Sequence, residues 1–178
     1  MKRKQKKILQ IVITALILIA IVFTVWSSLS KDKDKVAQVG DDAPLFELET
    51  VDGKKVNLED FKGKGVLINF WGTWCEPCKR EMPELENQYK EYKDKGVEVV
   101  AIHVRDNPQQ IKQYLSSLKE TPTFNVAMDN DNLVTDAYGV NPLPTTITVD
   151  KDGKVKSKHT GELSKKQIIK EMESVKVK

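Results

Sequence analysis

Val66-Leu67-Ile68-Asn69-Phe70-Trp71-Gly72-Thr73-Trp74-Cys75-Glu76-Pro77-Cys78 is the stretch on which the reading of this chain turns. From Val66 to Phe70 the residues are nearly all apolar, as expected of a central strand buried on both faces. After Cys75 the pattern changes: Cys78, Met82, Leu85, Tyr89 and Tyr92 recur at helical spacing, and Lys95-Gly96 closes it. The cysteines therefore sit in a strand-to-helix turn, with Cys75 in the first turn of the helix. There a Cys-x-x-Cys disulfide opens and closes with little backbone movement. The unpaired N–H groups and positive dipole end stabilise the attacking thiolate. Pro77 falls where a helix tolerates a missing N–H and stiffens the turn. Pro83 lies inside the helix and is expected to kink it.

Upstream, Phe46-Glu47-Leu48-Glu49 and Val56-Asn57-Leu58 alternate around Asp52-Gly53, a hairpin signal. Downstream, Val97 to Val104 reads as a second buried strand and Pro108 to Leu118 as a helix. Phe124 to Met128 reads as a short strand, and Leu133 to Ala137 as a short helix. Thr145 to Val149 and Val155 to Thr160 form a hairpin around Asp152-Gly153, and Ser164-x-x-Gln167 is a capping box opening the last helix. Strands alternating with helices and ending in a hairpin predict an α/β fold with a central mixed β-sheet flanked by helices. Cys75 falls at the carboxyl end of a central strand, where open α/β sheets place their sites.

The chain has 178 residues, enough for one domain and an appendage. Its formal charge of +3 misleads, because Lys2, Arg3, Lys4, Lys6 and Lys7 carry five positives and leave 24 basic against 26 acidic residues elsewhere. Nothing in that balance indicates nucleic acid. From Ile8 to Trp26 the sequence is uncharged and mostly Ile, Val and Leu, about 19 residues that span about 28 Å as a helix, close to one hydrocarbon core. The basic cluster before it orients it, placing residues 1–7 in the cytoplasm, a transmembrane signal-anchor at 8–29, a linker at 30–38 and the catalytic domain, 39–178, on the extracytoplasmic side. Lys31-Asp32-Lys33-Asp34-Lys35 reads as a solvated tether. A cleaved signal peptide is the competing reading, although the apolar run exceeds the usual h-region.

Outside the cytoplasm disulfides persist, yet both cysteines of this chain lie in one short motif and none is spent on bracing. The pair is for reaction. A metal-binding module would need more ligands, and His103 and His159 fall in separate strands with no ligand spacing, reading as surface or edge histidines. Haem attachment fails because Lys79 stands where histidine is required.

Phe70-Trp71-Gly72-Thr73-Trp74-Cys75-Glu76-Pro77-Cys78, followed by Leu143-Pro144-Thr145, resembles the thioredoxin superfamily. Within it the membrane tether, the Cys-Glu-Pro-Cys choice, Glu81 and the extra helix near Pro108 to Leu118 are similar to the ResA/TlpA-type membrane-anchored extracytoplasmic thiol-disulfide oxidoreductases. The resemblance runs from about Val39 to near the C-terminus. It implies a thioredoxin-like fold, a cis-proline facing the disulfide, and an activity that reduces the haem-binding cysteines of apocytochrome c. Electrons then come from a membrane thiol-electron donor protein, and no cofactor is bound beyond the redox-active disulfide. Trp74 would be the aromatic wall beside the nucleophile. Pro144 is favoured over Pro142 as the cis proline, with the Leu143 backbone pairing with an extended substrate and Thr145 completing the substrate-binding set.

Chemistry assigns the catalytic roles. Cys75, the more exposed thiol, attacks a target disulfide, and Cys78 resolves the mixed disulfide. Glu81 borders the Cys78-Met82-Leu85 stripe and so approaches the pocket from the same helix. A carboxylate about 6 Å from a thiolate opposes it by about 3 kcal/mol at an effective dielectric near 20, against about 0.3–1 kcal/mol from the helix dipole. The dithiol becomes a better electron donor. Thioredoxins carry a buried Asp where this chain has Asn69, so Glu81 is expected to serve as acid/base. Rival readings are a disulfide oxidase or isomerase, a reductase for another envelope or spore protein, and a peroxiredoxin-like peroxidase. The last lacks a Pro-x-x-x-Thr-x-x-Cys site here.

Overall fold

A computed structural model describes residues 3–30, 36–105 and 107–177. The chain divides into two units, Met1–Lys35 and Val36–Lys178. The first carries helix α1, Arg3–Ser30. Its Thr14 and Thr24 hydroxyls donate back to the Ile11 and Ile21 carbonyls at 3.0 and 2.9 Å, which satisfies polar groups on an apolar helix. Among the described residues no helix is long and apolar enough to cross a membrane. The side chains described in α1 are Lys7 and those of 11–24, so the rest of the expected 8–29 span lies outside them, as does the tether 31–35.

The second unit contains a five-stranded sheet in the order β5-β4-β3-β6-β7. Its strands are β3 (Gly65–Trp71), β4 (Val97–Val104), β5 (Asn125–Asp129), β6 (Thr145–Val149) and β7 (Val155–Thr160). β3, β4 and β5 run parallel, while β6 and β7 are antiparallel, giving the mixed sheet expected. The first hairpin, β1 (Glu47–Glu49) and β2 (Lys55–Asn57), forms a separate small sheet. It joins the β5 edge through a Thr50–Ala127 bridge and the Val51 N–H donating to the Val126 carbonyl at 2.9 Å. Among the described residues four α-helices complete the unit: α2 (Glu76–Tyr92), α3 (Pro108–Ser117), α4 (Leu133–Ala137) and α5 (Lys165–Val175).

β3 is buried along its whole length because both sheet faces are covered. Its alternate residues sort accordingly. Leu67 and Trp71 join Met82 and Leu85 of α2, Ile111 of α3, and Ile168 and Met172 of α5 in one core. Val66, Ile68 and Phe70 join Val56 of the hairpin, Tyr138 and Ile147 in the other. Each such side chain removed from water contributes roughly 1.5–3 kcal/mol, so the central strand is anchored from both sides. Asn69 has the parity of Leu67 and Trp71 and therefore faces α2.

Pro83 lies within α2, and the helix continues through it from Glu76 to Tyr92. A proline at 83 withdraws the N–H that the Lys79 carbonyl would accept. That carbonyl instead accepts the Tyr114 hydroxyl of α3 at 3.2 Å. The inserted helix thus repairs the hydrogen bond that the proline removes. α2 passes into a short 3-10 turn, Lys93–Lys95, and ends at Gly96 in the left-handed region, φ 79°, where a Cβ is disfavoured.

Candidate active site

Register brings the site together. Phe70 of β3 lies opposite Thr145 of β6, and Trp71 lies beside His103 of β4. The segment leaving β3 and the one entering β6 therefore emerge at the same end of the sheet, with Cys75 on the first and Leu143-Pro144 on the second. Cys75 is the N-cap of α2, and its Sγ accepts the Cys78 N–H at 3.3 Å. The Cys78 N–H thus aims at the sulfur, as a thiolate there requires. Pro77 sits in that first turn, where its missing N–H costs nothing.

Cys75 and Cys78 are joined as a disulfide with Cα atoms 5.3 Å apart. Cys75 is 8 % exposed and Cys78 fully buried, so Cys75 is the thiol that a partner reaches first. Glu76 is exposed and pairs with Lys79, away from any catalytic contact.

Glu81 is buried, one turn beyond Cys78 on the same helix. Positions three apart on a helix bring their Cβ atoms to about 5–6 Å. The carboxylate oxygens are both engaged: Oε1 accepts the Asn69 side-chain amide at 2.7 Å, and Oε2 accepts the Leu163 backbone N–H at 2.8 Å. The Asn69 amide also donates to Thr146 Oγ1 at 3.0 Å. Burial lifts the Glu81 pKa from the usual 4.5 to about 7, against the lowering effect of those two donors and with some help from Glu162. Arg80 holds Glu162 through two hydrogen bonds and so fixes the Leu163 segment against α2. Asn69 is thus the hydrogen-bond partner of Glu81.

Trp74 is 53 % exposed. With Arg105, Asn132, Asp136, Pro142 and Leu143 it lines a cleft of about 410 Å³. Leu143 is half-buried and, among the described residues, makes no backbone–backbone hydrogen bond, which leaves its backbone suited to an added strand. The neighbouring residues are fixed by hydrogen bonds of their own. The Pro144 carbonyl accepts the Gly161 N–H at 2.8 Å, and Thr145 is fully buried with its hydroxyl donating to the Pro142 carbonyl at 2.7 Å. The Thr145 hydroxyl thus holds the shape of the loop that enters β6. The Leu143–Pro144 bond is cis, as the sequence leads one to expect, and Asn141–Pro142 is cis as well.

His103 is also not the surface residue expected. It shares the parity of Val97, Val99 and Ala101 on β4, so it lies on the face packed by α2, α3 and α5 and is 1 % exposed. That parity was available in the sequence. His159 lies half-buried on the edge strand β7. Among the described residues no group of three or more His, Cys, Asp or Glu side chains could hold a metal ion.

A parallel β3-α2 unit closed by an antiparallel hairpin, with a disulfide capping α2, defines a thioredoxin-like protein built around a redox cysteine pair. The chain belongs to the AhpC/TSA family, whose pattern matches residues 39–158. It is 40% identical over 168 residues to Thiol-disulfide oxidoreductase ResA of Bacillus subtilis, covering 94% of this chain and 92% of that one. It is 40% identical over 176 residues to the protein of the same name from Geobacillus thermodenitrificans, covering 99% of each. Among solved structures, a putative thiol:disulfide interchange protein DsbE from Chlorobium tepidum superposes with a TM-score of 0.69 at 31% identity, over 76% of this chain and 99% of that one. The activity is that of a thiol-disulfide oxidoreductase of the ResA/DsbE type, carried by a cysteine pair and acting on protein disulfides.

Proposed function

We propose that this chain donates electrons to disulfides of proteins outside the cytoplasm. In this reading 1–7 form a cytoplasmic tail, 8–29 the membrane anchor, 30–38 the linker and 39–178 the working domain. One observation carries the reductive direction: a buried carboxyl with a pKa near 7 stands one helical turn from Cys78. Ionised, it opposes a thiolate at the pair. A dithiol whose thiolate form is disfavoured gives up electrons more readily, the opposite of strong oxidants, whose reduced form is stabilised.

The exchange balances as follows. The Cys75 thiolate attacks one sulfur of the client disulfide, forming a mixed disulfide and releasing the other client sulfur as a thiolate, which takes a proton. Glu81 accepts the Cys78 proton. The Cys78 thiolate then attacks Cys75 Sγ, the mixed disulfide breaks, and the second client thiolate leaves. Two electrons have passed from the Cys75/Cys78 dithiol to the client, and the enzyme holds the disulfide seen here. Trp74 and Leu143 border the client segment during the first attack. A membrane thiol-electron donor protein restores the dithiol, because soluble NADPH does not reach this compartment.

The family resemblance points to the haem-binding cysteines of apocytochrome c as the client. Deleting the gene tests this. Loss of c-type cytochromes, restored by an added external dithiol, supports the assignment, while normal cytochrome content overturns it. A reduction potential near the thioredoxin value of about −270 mV fits a reductant, and one at or above about −200 mV would reverse the direction of electron flow.

A further inference from the structure

The loop carrying Cys75 is held by a side chain that the exchange reaction does not use. His103 Nε2 accepts the Thr73 backbone N–H at 3.0 Å, so that nitrogen carries no proton. Its ring meets Trp71 and Trp74 edge-on, with centroids 4.6 and 5.5 Å away and planes at 80° in both cases. Gly72 completes the arrangement. A Cβ there would come within 2.8 Å of the Trp74 indole, so the ring rests on bare backbone. Trp74 is thus fixed by His103 and Gly72, while its exposed part lines the cleft shared with Arg105, Asn132 and Leu143.

We propose that His103 is a positioning residue for disulfide exchange: by holding Thr73 and Trp74 it sets the wall of the cleft that receives the extended client chain beside the target disulfide. The inference rests on the disulfide-reductase reading above. A small disulfide need only reach Cys75 Sγ. A polypeptide disulfide must in addition lay its backbone along Leu143 and a side chain against Trp74, and only that docking depends on where the indole sits.

The test uses the full-length protein in detergent, reduced beforehand and mixed with one of two oxidants. These are 5,5′-dithiobis(2-nitrobenzoate) and a peptide whose Cys-x-x-Cys pair is oxidised. His103→Phe keeps a ring and removes the acceptor of the Thr73 N–H. His103→Gln keeps an acceptor and loses the aromatic edge, and reads the same ratio should the first variant fold poorly. The half-saturating peptide concentration is expected to rise about fivefold to tenfold in His103→Phe, with the maximal rate and the small-disulfide rate held within about twofold and the reduction potential unchanged. His103→Gln should fall between it and the native protein. Equal losses with both oxidants, or none with the peptide, would overturn the proposal. Failure of the native protein to reduce either oxidant would instead overturn the disulfide-reductase reading.

Discussion

Two neighbourhoods adjoin the Cys75–Cys78 disulfide, and they are made of different materials. Asn69, Glu81, Thr146 and the Leu163 N–H form a buried polar nest joined by hydrogen bonds around one titratable carboxyl. Trp71, Trp74, His103 and Tyr114 form a ring cluster with centroid spacings of 4.6 to 5.5 Å, half-open to solvent at Trp74. Burial gives the carboxyl leverage over charge, because a charge removed from water interacts more strongly with its neighbours. Exposure gives the indole contact area for a partner. The division predicts that changes in the nest alter potential and pH dependence, whereas changes in the rings alter which substrates are handled well.

The largest expected effect precedes that division, because both neighbourhoods act through the same sulfurs. Cys78→Ser removes the resolving thiol and should abolish turnover while leaving the first attack intact. Client proteins then accumulate as mixed disulfides on Cys75, visible as reductant-sensitive high-mass bands. Free turnover by this variant would remove Cys78 from the mechanism.

Glu81→Gln comes next and tests the nest. At a thiolate–carboxylate distance of about 6 Å the ionised carboxyl contributes about two pKa units to the thiol, so the variant should titrate lower by about that much above pH 7 and show a raised reduction potential. The thiol absorbance curve checks this, and coincident curves would refute it. Stability carries a second signature. A carboxyl whose pKa rises from 4.5 unfolded to about 7 folded retains a proton on folding between those values. Its contribution is therefore fully present below pH 4.5 and is lost as pH rises through 7, on the order of 3 kcal/mol in all. Denaturant midpoints of Glu81→Gln should lack that decline.

Much of this arrangement was legible before the structure. The apolar run ahead of Cys75, the helical recurrence after it and the two Asp-Gly hairpins use the local rules that sequence carries well, and Glu81 was placed by helix periodicity. What escaped depends on contacts distant in sequence. The isomer of Asn141–Pro142 is set by tertiary context, since an X–Pro bond differs by only about 0.5–1 kcal/mol between forms. The hydroxyl that serves the Lys79 carbonyl in place of the missing Pro83 N–H lies 31 positions along, at Tyr114. His103 differs in kind: its strand parity matches Val97, Val99 and Ala101, although histidine is by type less often buried than valine or alanine. The burial of Thr145 and its bond to Pro142 likewise depend on the fold around it.

Trp74→Ala tests the ring cluster with a smaller effect. Removal of a half-exposed indole at a docking surface should cost about 1–2 kcal/mol, a loss of about tenfold in affinity for a peptide disulfide. The small-disulfide rate and the potential should hold, and a shifted potential would show that the two neighbourhoods are not separable. Peptide titration against the reduced protein and equilibration with a glutathione buffer measure the two quantities.

Tyr114→Phe should have the smallest effect and bears on how the ring cluster is tied to α2. The Tyr114 ring lies 5.4 Å from Trp71, and its hydroxyl serves the carbonyl that Pro83 leaves without a helical donor. Removing only the hydroxyl keeps the ring contact and strands the Lys79 carbonyl, at a cost of about 1 kcal/mol. Chemical denaturation should register that loss, with potential and thiol titration unchanged. Combining Tyr114→Phe with Pro83→Ala restores an N–H at position 83 as a donor for the same carbonyl, so the hydroxyl should matter less in that background. A Tyr114→Phe penalty as large there as in the native chain would mean that the hydroxyl does not substitute for the missing helical hydrogen bond.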